Sequence, residues 1–119
     1  MQTDKDVAET LLVAAERLAE VITQENAALK AHDWTQVHQL AGDKRASTGD
    51  YGRALKALGD QATLSADMRQ RLQTAGERLA ILAEENERRL ARVMFAQRRV
   101  IAAISEAVIA VGDGAATYG

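Results

Sequence analysis

The 119-residue chain has no proline, no cysteine and only four aromatic side chains: Trp34, Tyr51, Phe95 and Tyr118. Without cysteine, disulfides and thiolate metal sites are excluded, and the redox compartment is left open. Without proline, against a usual share of about 5%, nothing compels a helix to break. Strand-like alternation is missing as well, so the sequence reads as all-α. Net charge is small: 15 Lys and Arg against 17 Asp and Glu leave −2. A general attraction to nucleic acid is therefore not expected. The opening Met-Gln-Thr-Asp-Lys-Asp lacks the basic and apolar regions of a signal peptide. The most apolar run, Val100 to Val111, is too short and too interrupted by Glu and Ser to span a bilayer. The expectation is a cytoplasmic protein with no stable membrane insertion.

What the chain does have is helical periodicity. From Ser65 to Val111 an apolar stripe runs without a proline and with one glycine, Gly76. At about 1.5 Å per residue this helix would be roughly 70 Å long. Met68, Leu72, Ala75, Leu79, Leu82, Leu90, Val93, Val100, Ile101, Ile104, Val108 and Val111 fall in a sector about 100° wide, interrupted by Asn86 and Gln97. Glu84/Arg88 and Glu85/Arg89 stand at the supporting i,i+4 spacing.

Before it, Thr3 is placed to cap a first helix, with Asp4 and Asp6 in its first turn. Val7, Leu11, Ala14, Leu18, Ile22 and Leu29 form its stripe, with Glu25 in the middle. Asp33 followed by Gln36 is a capping-box signature for a second helix, and so short a connection folds the two into a hairpin. The second stripe takes Trp34, Val37, Leu40, Ala41, Tyr51, Leu55 and Leu58. Lys44 and Thr48 leave it a polar centre, and Gly42, Gly49 and Gly52 weaken it by about 1 kcal/mol each relative to alanine. Gly59 ends that helix, Asp60 to Leu64 form a loop, and Ser65 caps the third.

The expected architecture is an elongated antiparallel helical hairpin plus one long, coiled-coil-like third helix. Its helices cover about 3–31, 34–58 and 65–111 in a single domain, 1–112, followed by a mobile tail, 113–119. Climbing beside a hairpin roughly 40 Å long, the third helix should run out of intrachain partners near Leu90. Leu90, Val93, Met94, Gln97, Val100, Ile101, Ile104, Val108 and Val111 are then candidates for binding a partner. A continuous apolar stripe left in water forgoes on the order of 10 kcal/mol and invites aggregation. Either a second copy, giving a homodimer, or a different amphipathic helix should cover it.

Catalytic signals are few. His32 and His38 are six apart and lack i,i+3 or i,i+4 ligand partners, so no metal is expected. No phosphate loop precedes a helix, and Ser47, Thr48 and Ser105 have no base at motif spacing. The reading is a non-enzyme without cofactors. Arg88, Arg89, Arg92, Arg98 and Arg99 form a basic cluster that reads as a solvated face balanced by Glu84, Glu85 and Glu87, with binding to an acidic partner or nucleic acid as the alternative. Glu25, Lys44 and Asn86 each interrupt a different stripe, close to the hairpin turn. They read as a hydrogen-bonded polar layer fixing register, with anchoring of a bound peptide as the alternative. For an internal, satisfied Asn86, exchange for leucine should preserve or raise thermal stability.

Leu18, Glu25, Leu29, Asp33, Leu40, Lys44 and Leu55 resemble the Leu…Glu…Leu…Asp…Leu…Lys…Leu pattern of the FlgN-type flagellar export chaperones. Leu82 to Leu90 is similar to that family's Asn-x-x-Asn-x-x-x-Leu segment, with Asn86 and Leu90 matching and Ala83 in place of the first asparagine. The gapped resemblance spans about residues 10 to 110. It implies a cytoplasmic, ATP-independent chaperone that holds the C-terminal helices of hook–filament junction proteins, mainly through its own C-terminal helical region. It also implies delivery of those clients to the flagellar type III export apparatus. The rival reading is a structural or adaptor coiled coil, phasin-like, that homo-oligomerises through its last helix.

Overall fold

Three helices account for nearly all of the computed structural model, which describes residues 3–59 and 63–118, with side chains through 112. They are α1 (Asp4–Lys30), α2 (Trp34–Leu58) and α3 (Ala66–Tyr118), and the class is all-α. Each begins where a short polar side chain can take up an orphan amide. Thr3 Oγ1 accepts from the Asp6 N–H at 3.1 Å, and the Asp6 carboxylate accepts from the Thr3 N–H in return, completing a capping box. Asp33 Oδ1 accepts from the Gln36 N–H at 3.1 Å. Ser65 Oγ accepts from the Met68 N–H at 3.1 Å.

The turn between α1 and α2 is tighter than a simple capping box. The Asp33 N–H donates to the Ala28 carbonyl at 2.9 Å and the His32 N–H to that of Leu29 at 3.2 Å. These two bonds make a Schellman motif, with His32 at the position usually given to glycine. Its φ is accordingly +57°, and its ring meets Trp34 edge-on at 5.5 Å. Because the Asp33 amide is already committed, Gln36 is not needed for the reciprocal half of a capping box.

The structure falls into two compact units, residues 1–87 and 88–119, where the sequence suggests one domain through 112. In the first, the core is built in layers. Ala8 and Leu11 of α1 meet Ala54 and Leu58 of α2 together with Leu64 and Met68. Leu18, Ala19 and Ile22 then meet Leu79, with Tyr51 and Leu82 packed against them. Within this unit α2 runs antiparallel to α1, and the start of α3 runs parallel to it. The second unit is a run of α3 alone, and none of its residues through Gly112 is buried.

Two expectations need correction. Trp34, Ala41 and Leu55 do not join the core: Trp34 is 49% and Leu55 50% exposed, and Ala41 is exposed too. α2 buries only Leu40, Ser47, Ala54 and Leu58, because the small residues around Gly49 and Gly52 leave little bulk to bury. α2 nevertheless runs unbroken through Ser47–Gly52: a mid-helix glycine weakens a helix without forcing a turn. For the same reason α3 does not stop at Val111 with a mobile tail after it, but passes Gly112 and Gly114 to Tyr118. Gly59 does act as a stop, at φ +61°. Of the expected 60–64 loop, Asp60, Gln61 and Ala62 lie outside the described residues, as does Gly119. Thr63 Oγ1 donates to the Asp4 carboxylate at 2.7 Å, tying the start of α3 to that of α1.

Candidate functional site

Two sets of residues stood out in the sequence, and the structure treats them differently. Glu25, Lys44 and Asn86 converge inside the first unit. Lys44 Nζ donates to Glu25 Oε1 at 2.8 Å and to Asn86 Oδ1 at 2.8 Å. The Asn86 amide donates to Glu25 Oε1 and, at 2.9 Å, to Asn26 Oδ1. Glu25, Asn26 and Asn86 are buried, while the Lys44 side chain is 28% exposed.

Asn26 is the member that sequence reasoning missed. Its amide donates to the Leu82 carbonyl at 3.3 Å and to Glu85 Oε2 at 3.4 Å. The layer is thus built on the same dipeptide used twice, Glu25-Asn26 on α1 and Glu85-Asn86 on α3, each asparagine donating to the other helix's glutamate. That repeat is visible in the sequence. Asn26 itself lies beside the apolar stripe of α1, so a search for stripe interruptions passes over it. Every amide hydrogen of the two asparagines is directed at an acceptor within the unit. Such a layer aligns three helices, and with its donors engaged internally it has little left for a bound peptide.

The second set lies on α3 in the second unit. Leu90 and Val93 are half-buried and Gln97 is exposed. Met94, Val100, Ile101, Ile104, Val108 and Val111 are 51–73% exposed, as are Phe95 and Ile109, which stand off the stripe. Leu90, Gln97, Ile104 and Val111 recur at intervals of seven, with Val93, Val100 and Ala107 three residues after successive members. This is the a/d pattern of a coiled-coil seam, and among the described residues its side chains are exposed or half-buried. Monomeric proteins seldom leave so many large apolar side chains together in water.

Elsewhere the chain offers little chemistry. His32 and His38 are both exposed. Among the described residues no group of three His, Asp or Glu could hold a metal ion, and no helix is long and apolar enough to cross a membrane. Ser47 is buried with its hydroxyl unpaired. An open groove in the first unit, about 600 Å³, is lined by Leu11, Tyr51, Leu55, Leu58, Leu72 and Gly76 among others. No family model, curated protein or solved structure matches the chain.

Proposed function

We propose that the chain is a binding protein for an amphipathic helix, acting as a cytoplasmic export chaperone of the FlgN type. Its clients are the C-terminal helices of hook–filament junction proteins, which it shields before delivery to the flagellar export apparatus. The observation that carries the binding role is the exposed seam from Leu90 to Val111, with six of its large apolar side chains more than half in water. The identity of the client rests on the resemblance of Leu18, Glu25, Leu29, Lys44, Asn86 and Leu90 to the family pattern. The mechanism is burial without chemistry: each large side chain covered contributes about 1.5–3 kcal/mol, and release needs only a competing surface. The satisfied polar layer supports this division of labour, since it leaves Glu25, Lys44 and Asn86 to hold the first unit together.

The test is the triple variant Val100→Ser, Ile104→Ser, Val108→Ser, with calorimetry against C-terminal segments of hook–filament junction proteins. Affinity should fall by about 3–5 kcal/mol, while the melting curve of the first unit stays in place. Undiminished binding would remove the seam as the client site. Loss of self-association in the variant, with no client bound by the parent, would favour the homo-oligomeric adaptor.

A further inference from the structure

The occupant of the seam can be described further from the charges around it. Residues 88–119 hold Arg88, Arg89, Arg92, Arg98 and Arg99 against Glu106 and Asp113, a net of +3. The whole chain carries −2, so residues 1–87 carry −5. Arg88 and Arg89 stand four residues after Glu84 and Glu85, and each has interaction partners. Arg92, Arg98 and Arg99 differ. All three are exposed, none has an Asp or Glu three or four residues away, and none is in an ion pair among the described residues. The basic cluster is therefore not balanced along its whole length by Glu84, Glu85 and Glu87, as the sequence reading has it.

Their placement follows from the seven-residue repeat. Arg98 is one step past Gln97, beyond the margin occupied by Met94, Ile101 and Val108. Arg92 and Arg99 lie beyond the other margin, where Ala96, Ala103 and Ala110 stand, and the next position of that row is Glu106. An alanine margin places no bulk between a guanidinium on a long flexible stem and a helix lying in the seam. Cations thus border the seam on both sides along the stretch from Arg92 to Arg99, ahead of Glu106.

We propose that the seam takes one amphipathic helix whose apolar stripe is bordered by acidic side chains, paired with Arg98 on one margin and with Arg92 and Arg99 on the other. The inference rests on the seam being a client site, as above. A second copy is disfavoured, because two units of +3 would be brought side by side. A lipid surface is disfavoured by Gln97 at the centre of the stripe and by the strict seven-residue repeat. A partner helix uses that repeat to keep its contact line, whereas a membrane has no use for it.

The experiment uses the full chain and three synthetic 28-residue helical peptides with one common leucine/isoleucine seam and margins of Glu, Gln or Lys. Binding is measured by fluorescence anisotropy at 50, 150 and 500 mM NaCl. The Glu peptide should bind at least tenfold more tightly than the Lys peptide at 150 mM, with the ratio shrinking as salt rises. In the variant Arg92→Glu, Arg98→Glu, Arg99→Glu, helical by circular dichroism, the preference should reverse. Equal affinity for the three peptides, or an unchanged preference in that variant, overturns the inference. So does binding of none of them, whether the chain then dimerises in sedimentation or adheres to vesicles containing 30% phosphatidylserine. The serine triple variant separates the two claims. If it loses all three peptides and the parent shows no charge preference, the seam stands as the client site and only the acidic partner falls. If it binds the Glu peptide as well as the parent does, the seam itself is wrong.

Discussion

Ser47 of α2 is 1% exposed, with its hydroxyl unpaired. Alanine would fill nearly the same buried space without a stranded hydroxyl. An unsatisfied buried polar group costs about 1–3 kcal/mol, and Ser47→Ala removes only one oxygen in exchange. The variant should therefore be more stable by about 1 kcal/mol, raising the melting temperature by roughly 4–8 °C. A lower melting temperature in differential scanning calorimetry would show that the hydroxyl has a partner. His32 poses a related question of fit. Its φ of +57° is sparsely populated for a side chain with a β-carbon, and histidine is among the types that visit it more often than most. Nothing in the composition of this turn announces the Schellman bonds, because the usual glycine is not there. A sequence reader finds Asp33 and Gln36 and infers a capping box, of which the structure keeps only the Asp33 half.

The buried layer joining α1, α2 and α3 alters what a single substitution there should do. Read from the sequence as an internal, satisfied group, Asn86 could be exchanged for leucine with thermal stability preserved or raised. In the structure it accepts from Lys44 and donates to both Glu25 and Asn26. Leucine would strand Asn26 Oδ1 and leave the buried Glu25 carboxylate to Lys44 alone. Asn86→Leu should therefore destabilise by about 2–4 kcal/mol in urea unfolding. Changing Glu25, Asn26, Lys44 and Asn86 to apolar residues together should recover most of that loss while loosening the register of the three helices. A single variant as stable as the parent would mean that water or a shifted side chain replaces the asparagine. The helices themselves were legible, because long 3.6-residue periodicity and polar capping residues act locally. The convergence of Glu25, Lys44 and Asn86 was legible too, since each breaks an otherwise apolar stripe at a similar distance from the turn. Asn26 was not, as it adjoins the stripe rather than interrupting it. Nor was the exposure of Trp34 and Leu55, for periodicity says which side chains share a face but not whether a neighbouring helix reaches them.

Burial and apolar surface are distributed unevenly over the chain. Every buried residue among those described lies between Ala8 and Asn86, in the unit that carries −5. The +3 unit contributes none, although it holds Val100, Ile101, Ile104, Val108, Ile109 and Val111. Under the proposed function, stability and recognition fall to different stretches of one sequence, and the two properties should separate when the chain is cut. A chain ending at Glu87 retains both core clusters, all three capping side chains and the complete Glu25–Asn26–Lys44–Asn86 layer with Glu85. Through Gly112, the helix that is lost has only exposed or half-buried side chains. Burial governs the steepness and midpoint of unfolding, so the shortened chain should melt cooperatively within a few degrees of the parent. Its urea m-value should fall only slightly, since m follows the surface that unfolding exposes. It should also be more soluble, having shed the uncovered seam, and should bind no amphipathic peptide. Calorimetric melting, urea titration and peptide anisotropy on the same preparation check all three. A shortened chain that fails to fold would place residues 88–119 in the stabilising core after all, and a shortened chain that still binds the peptide would move recognition to the open groove beside Tyr51 and Leu55.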